Sequence, residues 1–263
     1  MRKTWFFPLV FLVLAAALSV GTARAAAVDV EVDGEVLPGG ETVDGVTYVP
    51  LRGLLERLGD WELSWDGENE TAEASSELMT LTFPLGEPWL LIDGLAVDSP
   101  PAYLREGRTY VPLRSVARLC GAHVRWQGRQ SPVEVTSGYA ECREEDLFWL
   151  SRIISAESQG ESYLGQLAVG AVVLNRVESG DYPDTIYDVV FEYNYAYQFE
   201  PVANGAIHWE PTEKSVLAAK ACLNGARVLK DSLYFFAPAL SEGAWITANR
   251  TYAATIGCHR FYV

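Results

Sequence analysis

The second half of the chain carries its apolar residues at helical spacing. They recur every three or four positions, at Leu147, Leu150, Ile153 and Ile154. This is the pattern of a helix with one face against a core. Glu157 comes next, four residues after Ile153, and side chains at that spacing lie on one helical face. The pattern therefore predicts a carboxyl group that is directed toward the interior.

The same half contains further periodic segments. Two helices are predicted within residues 143–178, where they meet at Gly160, and another is predicted over residues 215–223. Between them, residues 191–199 read FEYNYAYQF, in which aromatic residues alternate with others. Alternation is typical of a strand or an extended loop with one aromatic side. A half-buried core strand and a ligand-binding surface both fit this pattern.

The first half contains an internal duplication. Residues 44–52 read DGVTYVPLR and residues 106–114 read EGRTYVPLR, so that Tyr110 follows Tyr48 by 62 residues. Each copy predicts a strand that ends at Tyr-Val, a proline in the first helical turn, a short amphipathic helix and a glycine stop. The predicted apolar helix faces are Leu51, Leu54, Leu55 and Leu58 in the first copy and Leu113, Val116, Ala117 and Cys120 in the second.

Length and composition indicate a globular protein with an export signal. At 263 residues and 49% hydrophobic content, the chain can form two domains. At its start, two basic residues precede an apolar run, and Ala23-Arg24-Ala25 form a cleavage pattern. Residues 1–25 are therefore predicted to be a secretory signal peptide, the alternative being a retained membrane anchor.

Charge and cysteine usage exclude some classes of partner. The net charge of −15 and the pI near 4.6 argue against nucleic acid and anionic lipid as partners.

The four cysteines lack the C-x-x-C spacing of zinc or redox sites. Export permits disulfides. The simplest of the three possible connectivities pairs Cys120 with Cys142, and Cys222 with Cys258. Cys120 also occupies a core position in its helix, which favours a free thiol there.

Several kinds of catalytic site have little support. The histidines at positions 123, 208 and 259 have no metal-ligand spacing. A Cys/His nucleophilic site could include Cys222 or Cys258, but neither has a supporting local signature. Because no glycine-rich phosphate loop occurs either, we expect neither a metal ion nor a cofactor.

Two arginines occupy equivalent positions in the duplicated units. Arg52 and Arg114 each follow the Tyr-Val-Pro-Leu motif in the first turns of a helix. They could bind an anionic polymer, but a structural ion pair is the favoured interpretation, because a binding site needs further convergent groups.

Glu157 remains as the residue with distinctive chemistry. Burial disfavours the charged form of a carboxyl group, so its pKa rises and it can hold a proton near neutral pH. Glycoside cleavage requires such a proton donor at the leaving oxygen. The alternative is that Glu157 reaches solvent at a frayed helix end just before Gly160.

The duplicated first half resembles the copper amine oxidase N-terminal-like domain. The motif TYVPLR carries this resemblance, which covers residues 28–137. It does not imply bound copper, because His123 is the only histidine in this half.

The second half resembles the catalytic domain of the SleB-type cell wall hydrolases, the spore-cortex-lytic enzymes. The segments that match in order are ISAESQGESYLGQLAVGAVVLNRV, QFEPVANGAI, AAKACLNG, LYFFAP and IGCHRFY. The resemblance covers residues 143–263 and implies a lysozyme-like fold that cleaves peptidoglycan between muramic acid and glucosamine. It implies Glu157 as the catalytic acid, and Gln198, Phe199 and Glu161 as substrate-binding or supporting residues.

Taken together, these features predict an α+β protein, with a duplicated small α/β accessory domain followed by a mostly helical lysozyme-like catalytic domain. The boundary is expected near residue 140. We expect an exported peptidoglycan glycosidase of the cell wall or spore envelope. The lack of a second carboxylate on a matching signature favours a lytic transglycosylase. Glycan strands are the expected partner, and no protein partner can be assigned. The alternative is a non-catalytic wall-binding or scaffold protein, against which the presence of Glu157 argues.

Overall fold

The computed structural model describes residues 25–128, 131–137, 142–194 and 197–263. The predicted signal peptide lies outside these ranges except for its last residue, and so does the predicted boundary near residue 140. Within the described ranges, no helix is both long enough and apolar enough to cross a bilayer.

The first half consists mainly of β-strands. Its elements are β1 (Ala26–Ala27), β2 (Val30–Val32), β3 (Glu35–Leu37), β4 (Glu41–Val43), β5 (Val46–Pro50), α1 (Leu51–Leu58), β6 (Glu62–Asp66), β7 (Thr71–Ser75), β8 (Thr80–Pro84), β9 (Trp89–Ile92), β10 (Leu95–Asp98), β11 (Tyr103–Arg105), β12 (Arg108–Pro112), α2 (Leu113–Leu119), β13 (His123–Trp126) and β14 (Val133–Thr136). The sheet orders are β1-β4-β5-β12-β11, β10-β9-β8-β7-β6 and β13-β14-β2-β3. Strands β14 and β2 pair in parallel, which joins the end of this half to its beginning.

The two copies of the duplication lie side by side. Strands β5 and β12 pair antiparallel, with Val49 opposite Val111, and each strand leads directly into its helix. The predicted helix faces are confirmed, because they contribute to the hydrophobic core, with Leu58 partly buried. Pro50 and Pro112 end their strands and precede the helices, rather than lying in the first helical turn.

The second half is mainly helical. Its elements are α3 (Glu144–Ser158), α4 (Tyr163–Ser179), α5 (Ile186–Val190), α6 (Glu200–Asn204), a short 3-10 helix (Ala206–His208), α7 (Glu213–Leu223), β15 (Tyr234–Phe236), α8 (Ala244–Asn249), β16 (Tyr252–Ile256) and β17 (His259–Tyr262). The predicted helices are confirmed as α3, α4 and α7, which pack against one another. The small sheet β15-β17-β16 was not predicted. The α+β class is confirmed.

Helix α4 lies at the centre of the second half. It is buried nearly all round, as expected for a helix whose residues are mostly apolar. The Ser162 hydroxyl caps its start by accepting the N–H of Gly165 at 3.2 Å. At Gly170, a Cβ would lie 2.8 Å from both Cys222 Sγ and Ile154 Cδ1. The missing side chain therefore lets α3, which carries Glu157, pack closely against α4.

The four cysteines are free, so neither pair of the simplest connectivity is formed. Cys120 and Cys222 are buried, and burial raises the pKa of each thiol to about 12. Both therefore act as small core residues, as the position of Cys120 in its helix indicated.

The two halves contact each other directly. The Tyr163 hydroxyl donates to the Leu119 carbonyl at 2.7 Å, and the Asn224 side chain donates to the Gly121 carbonyl at 2.9 Å. The Asp93 carboxylate accepts the N–H of Tyr163 at 2.8 Å. Because Tyr163 is fully buried, the first half holds the start of α4 in place.

Tyr163→Phe should lower the free energy of unfolding by about 1–2 kcal/mol, because the buried Leu119 carbonyl loses its donor. Denaturant unfolding followed by circular dichroism measures this change. Tyr187→Phe is the matched control, since Tyr187 is exposed. Equal effects of the two substitutions would show that the contact with Leu119 does not stabilise the protein.

Candidate active site

Glu157 lies in the last turn of α3 and is partly buried, whereas Ile153 and Ile154 on the same helix face are fully buried. Burial is the main cause that raises its pKa to about 7. The nearby charge of Glu200 raises the pKa further, and the charge of Arg176 lowers it. The predicted inward direction of the side chain agrees with this burial, whereas the alternative of a fully solvated carboxyl does not.

Arg176 is a buried cation on α4, with 5% of its surface exposed. Its Nε donates to the Leu233 carbonyl at 2.8 Å. Its guanidinium lies 5.0 Å from the ring centre of Tyr182 and 5.1 Å from that of Phe199. One of its terminal nitrogens is buried without a hydrogen-bond partner among the described residues. Arg176 therefore supplies positive charge close to Glu157, and one of its terminal nitrogens remains available as a hydrogen-bond donor.

Two further carboxylates lie near this cation and acid. Glu192 lies at the start of the aromatic segment, and its charge acts on Arg176. One of its carboxylate oxygens is buried without a partner among the described residues. Its other oxygen accepts the Asn194 side-chain N–H at 2.9 Å. Glu200 is exposed in the first turn of α6. Sequence analysis missed Arg176, Glu192 and Glu200 as members of the site.

The aromatic segment forms a loop rather than a strand. Its described residues make a single bridge, Tyr193 with Tyr197, and residues 195 and 196 lie outside the described ranges. The Tyr193 and Tyr197 rings meet edge to face at 5.1 Å and are 63% and 44% exposed. These two rings are available to a ligand, which favours the surface interpretation for this part of the loop.

The residues predicted to bind substrate in this segment differ in exposure. Gln198 is exposed, and its backbone N–H donates to the Glu192 carbonyl at 3.4 Å, so a ligand can reach its side chain. Phe199 is 2% exposed. Because a ring this enclosed has no face free to stack on a sugar, the direct contact expected for Phe199 is corrected to a packing role beneath Arg176.

Glu161 is engaged with the turn between β16 and β17. Its side chain is 13% exposed, and it accepts the backbone N–H of Cys258 at 3.1 Å. His259 Nδ1 lies 3.9 Å from the same carboxylate, and burial lowers the pKa of His259. A Cβ on Gly257 would lie 1.7 Å from a Glu161 oxygen, so the turn fits closely around the acid. These contacts favour a supporting role for Glu161 over direct substrate binding.

Glu161→Ala should lower the free energy of unfolding by about 1–3 kcal/mol, because the Cys258 N–H loses a charged acceptor. Glu161→Gln should cost less, since its amide oxygen can still accept that bond. Thermal unfolding measures both, with the exposed Glu242→Ala as control. If Glu161→Gln abolished the expected glycan cleavage as completely as Glu157→Gln, the supporting role of Glu161 would be contradicted.

Two family models match the chain. The cell wall hydrolase model matches residues 160–262, and the copper amine oxidase N-terminal domain model matches residues 30–135. These are the two families that the sequence motifs indicated, so both resemblances are confirmed. The first match begins after Glu157 and so does not include that residue.

The relatives are bacterial wall-lytic proteins. The spore cortex-lytic enzyme of Bacillus cereus is 37% identical over 127 residues, which make up 48% of this chain and 46% of that protein. The chain spans about half the length of such relatives. The solved catalytic domain of the germination-specific lytic transglycosylase SleB from Bacillus anthracis is 36% identical, with a TM-score of 0.43, covering 46% of this chain and 97% of that one.

One shorter relative is covered over most of its length. The cell wall hydrolase CwlJ of Halalkalibacterium halodurans is 35% identical over 99 residues, which make up 35% of this chain and 68% of that protein. Together with the matching family model, this similarity shows that the chain belongs to the cell wall hydrolase family.

Proposed function

We propose that the protein is a peptidoglycan glycosidase that acts as a lytic transglycosylase on the bond between muramic acid and glucosamine. The observation that carries the proposal is the partly buried carboxyl of Glu157, whose pKa burial raises to about 7. Such a group holds a proton near neutral pH and can deliver it to a leaving sugar oxygen. The similarity to spore cortex-lytic enzymes supports cortex or wall peptidoglycan as the substrate.

In the first step, Glu157 donates its proton to the glycosidic oxygen. The bond from that oxygen to C1 of muramic acid breaks, the electron pair stays with the oxygen, and the glucosamine end leaves as an alcohol. Glu157 is then negatively charged, and the buried charge of Arg176 favours that state. Arg176 is thus a residue that eases proton release at the moment of bond cleavage.

In the second step, the Glu157 carboxylate takes the proton of the muramic acid 6-hydroxyl. The 6-oxygen forms a bond to C1 and closes an anhydro ring, which restores the carboxyl group without consuming water. One residue performs both proton transfers, so this route requires no second carboxylate.

Hydrolysis is the second candidate, and Glu200 is the observation that favours it. Its charge acts on Glu157 strongly enough to raise the Glu157 pKa, and its side chain is exposed. A second carboxylate near the acid could activate a water molecule or attack C1, as in glycoside hydrolases. The two candidates give different products.

We assign cleavage to residues 143–263 and an accessory role to residues 28–137. The family matches to each half support this division. The predicted signal peptide at residues 1–25 would direct the protein out of the cytoplasm. The proposed substrate, peptidoglycan, lies outside the cytoplasm.

Incubation of the purified protein with isolated peptidoglycan tests the function. We expect the turbidity of the suspension to fall and soluble glycan fragments to appear in the supernatant. Binding to the peptidoglycan without release of fragments would instead support the non-catalytic wall-binding alternative.

A further inference from the structure

A cavity of about 1120 Å³ lies between the two halves of the protein. The first half contributes residues along the whole of α2, together with parts of its strands, and the second half contributes the segment after α7. Much of the lining is apolar, including Pro100 and Trp126. Ligand sites occur preferentially at domain interfaces, and this volume is large enough for a small ligand or a short segment of polymer.

The charged residues that line the cavity are mostly basic. They are Arg114, Arg118, Arg227 and Lys230, against the single acid Asp98. The whole chain has the opposite balance, with 20 basic and 35 acidic residues. A basic cavity in an acidic protein attracts anions locally, although the overall charge repels polyanions.

Most of these cations are not neutralised by carboxylates. Arg227 pairs with Glu178 at 2.7 Å. Arg114 and Lys230 have no carboxylate partner among the described residues, and both are exposed. Arg118 donates a hydrogen bond to the Gly225 carbonyl at 3.4 Å, and its Nε is buried without a hydrogen-bond partner in the described part of the chain.

The duplication shows that this charge arrangement is specific to the second copy. In the first copy, Arg52 pairs with Glu56 at 3.7 Å, one turn later on α1. The equivalent of Glu56 in the second copy is Arg118, which places two arginines one turn apart on α2. Like charges at this spacing destabilise a helix. Burial lowers the pKa of Arg118, and the charges of Arg114 and Arg227 lower it further.

We propose that the cavity between the halves binds the free carboxylates of the peptides attached to muramic acid. The proposal rests on the proposed function, since it takes peptidoglycan as the polymer that the protein meets. Arginine binds carboxylates through paired N–H donors, and a bound anion offsets the mutual repulsion of Arg114 and Arg118. The apolar lining accommodates the short aliphatic side chains of such a peptide. Cleavage at Glu157 and retention in this cavity are then separate activities of the two regions.

The probe is an N-acetylmuramoyl peptide with free carboxylates, which contains no glycosidic bond, so that its binding does not depend on cleavage. Calorimetry with the full chain should detect binding that weakens as salt is added. Amidation of the probe carboxylates should weaken binding at least about tenfold, as expected for the loss of a charged hydrogen bond.

Two substitutions and a matched control locate the site. Arg114→Gln and Arg118→Glu should each weaken binding about tenfold or more, whereas Arg52→Gln at the equivalent position should leave it unchanged. Arg118→Glu recreates the ion pair of the first copy, so it should not lower the melting temperature. Arg114 is exposed, so its substitution tests binding even if Arg118→Glu fails to fold.

Three results would overturn the proposal. They are equal binding of the amidated probe, an equal loss in Arg52→Gln, and binding of inorganic phosphate but not of the muramoyl peptide. None of them depends on glycan cleavage, which is measured separately on intact peptidoglycan. If the protein proved to have no glycosidase activity, the expected binding of the muramoyl peptide would be unchanged.

Discussion

Glu157→Gln is expected to lower the rate of glycan cleavage by about 10²–10⁴-fold. The amide keeps the shape and the hydrogen-bonding reach of the carboxyl but cannot deliver or accept the proton. The rate is measured as release of soluble fragments from isolated peptidoglycan. Glu242→Gln, an exposed change in the same half, is the control and should keep the wild-type rate. Full activity of Glu157→Gln would reject Glu157 as the catalytic acid.

The same substitution should not destabilise the fold, and the sign of its effect depends on pH. Below about pH 4.5, the usual pKa of glutamate, Glu157 is protonated in both the folded and the unfolded protein. Between pH 4.5 and about 7 the unfolded chain ionises while the folded protein keeps the proton, so folding loses stability as the pH rises. Above pH 7, Glu157→Gln should be more stable than the wild type by up to about 3 kcal/mol.

The pH dependence of cleavage follows from the same pKa. In the proposed mechanism the protonated carboxyl is the active form, so the rate should fall about tenfold for each pH unit above 7. Glu200→Gln removes a negative charge that raises the Glu157 pKa, and the decline should therefore begin at lower pH. An unchanged profile in this variant would mean that Glu200 does not act on the catalytic acid.

The inward direction of Glu157 could be predicted because helical periodicity depends only on spacing within one segment. The other members of the site come from α4, the aromatic loop and the start of α6, and their convergence depends on how these elements pack. Arg176 carried a signal that could have been used, since it is the single cation in a helix that is mostly apolar. Its neighbours Glu192 and Glu200 carried none, because acids in exposed loops are common.

The correction at Phe199 shows a limit of alternating patterns. Alternation places Tyr193, Tyr197 and Phe199 on one side only if the segment is extended throughout, and this segment is a loop. The bridged residues Tyr193 and Tyr197 are exposed, while Phe199 is buried. The duplication was more informative, because its repeated motif predicted two equivalent strand and helix units. Their antiparallel pairing at β5 and β12 brings the two copies into one sheet.

The wild-type protein should yield products with anhydromuramic ends. In the transglycosylase route the 6-hydroxyl replaces water, so each fragment is lighter by one water than its hydrolysed counterpart and has no end that borohydride can reduce. Mass spectrometry of borohydride-treated fragments distinguishes the two products directly.

Glu200→Gln distinguishes the two candidate reactions, transglycosylation and hydrolysis, because Glu200 has a different role in each. If Glu157 performs both proton transfers, Glu200 is needed only for its charge, so the variant should still produce anhydro ends at a shifted pH optimum. If Glu200 activates water or attacks C1, the wild type should give reducible muramic ends, and the variant should lose about 10²-fold or more of its rate. Reducible ends in the wild type would reject the transglycosylase while leaving Glu157 as the proton donor of a glycosidase.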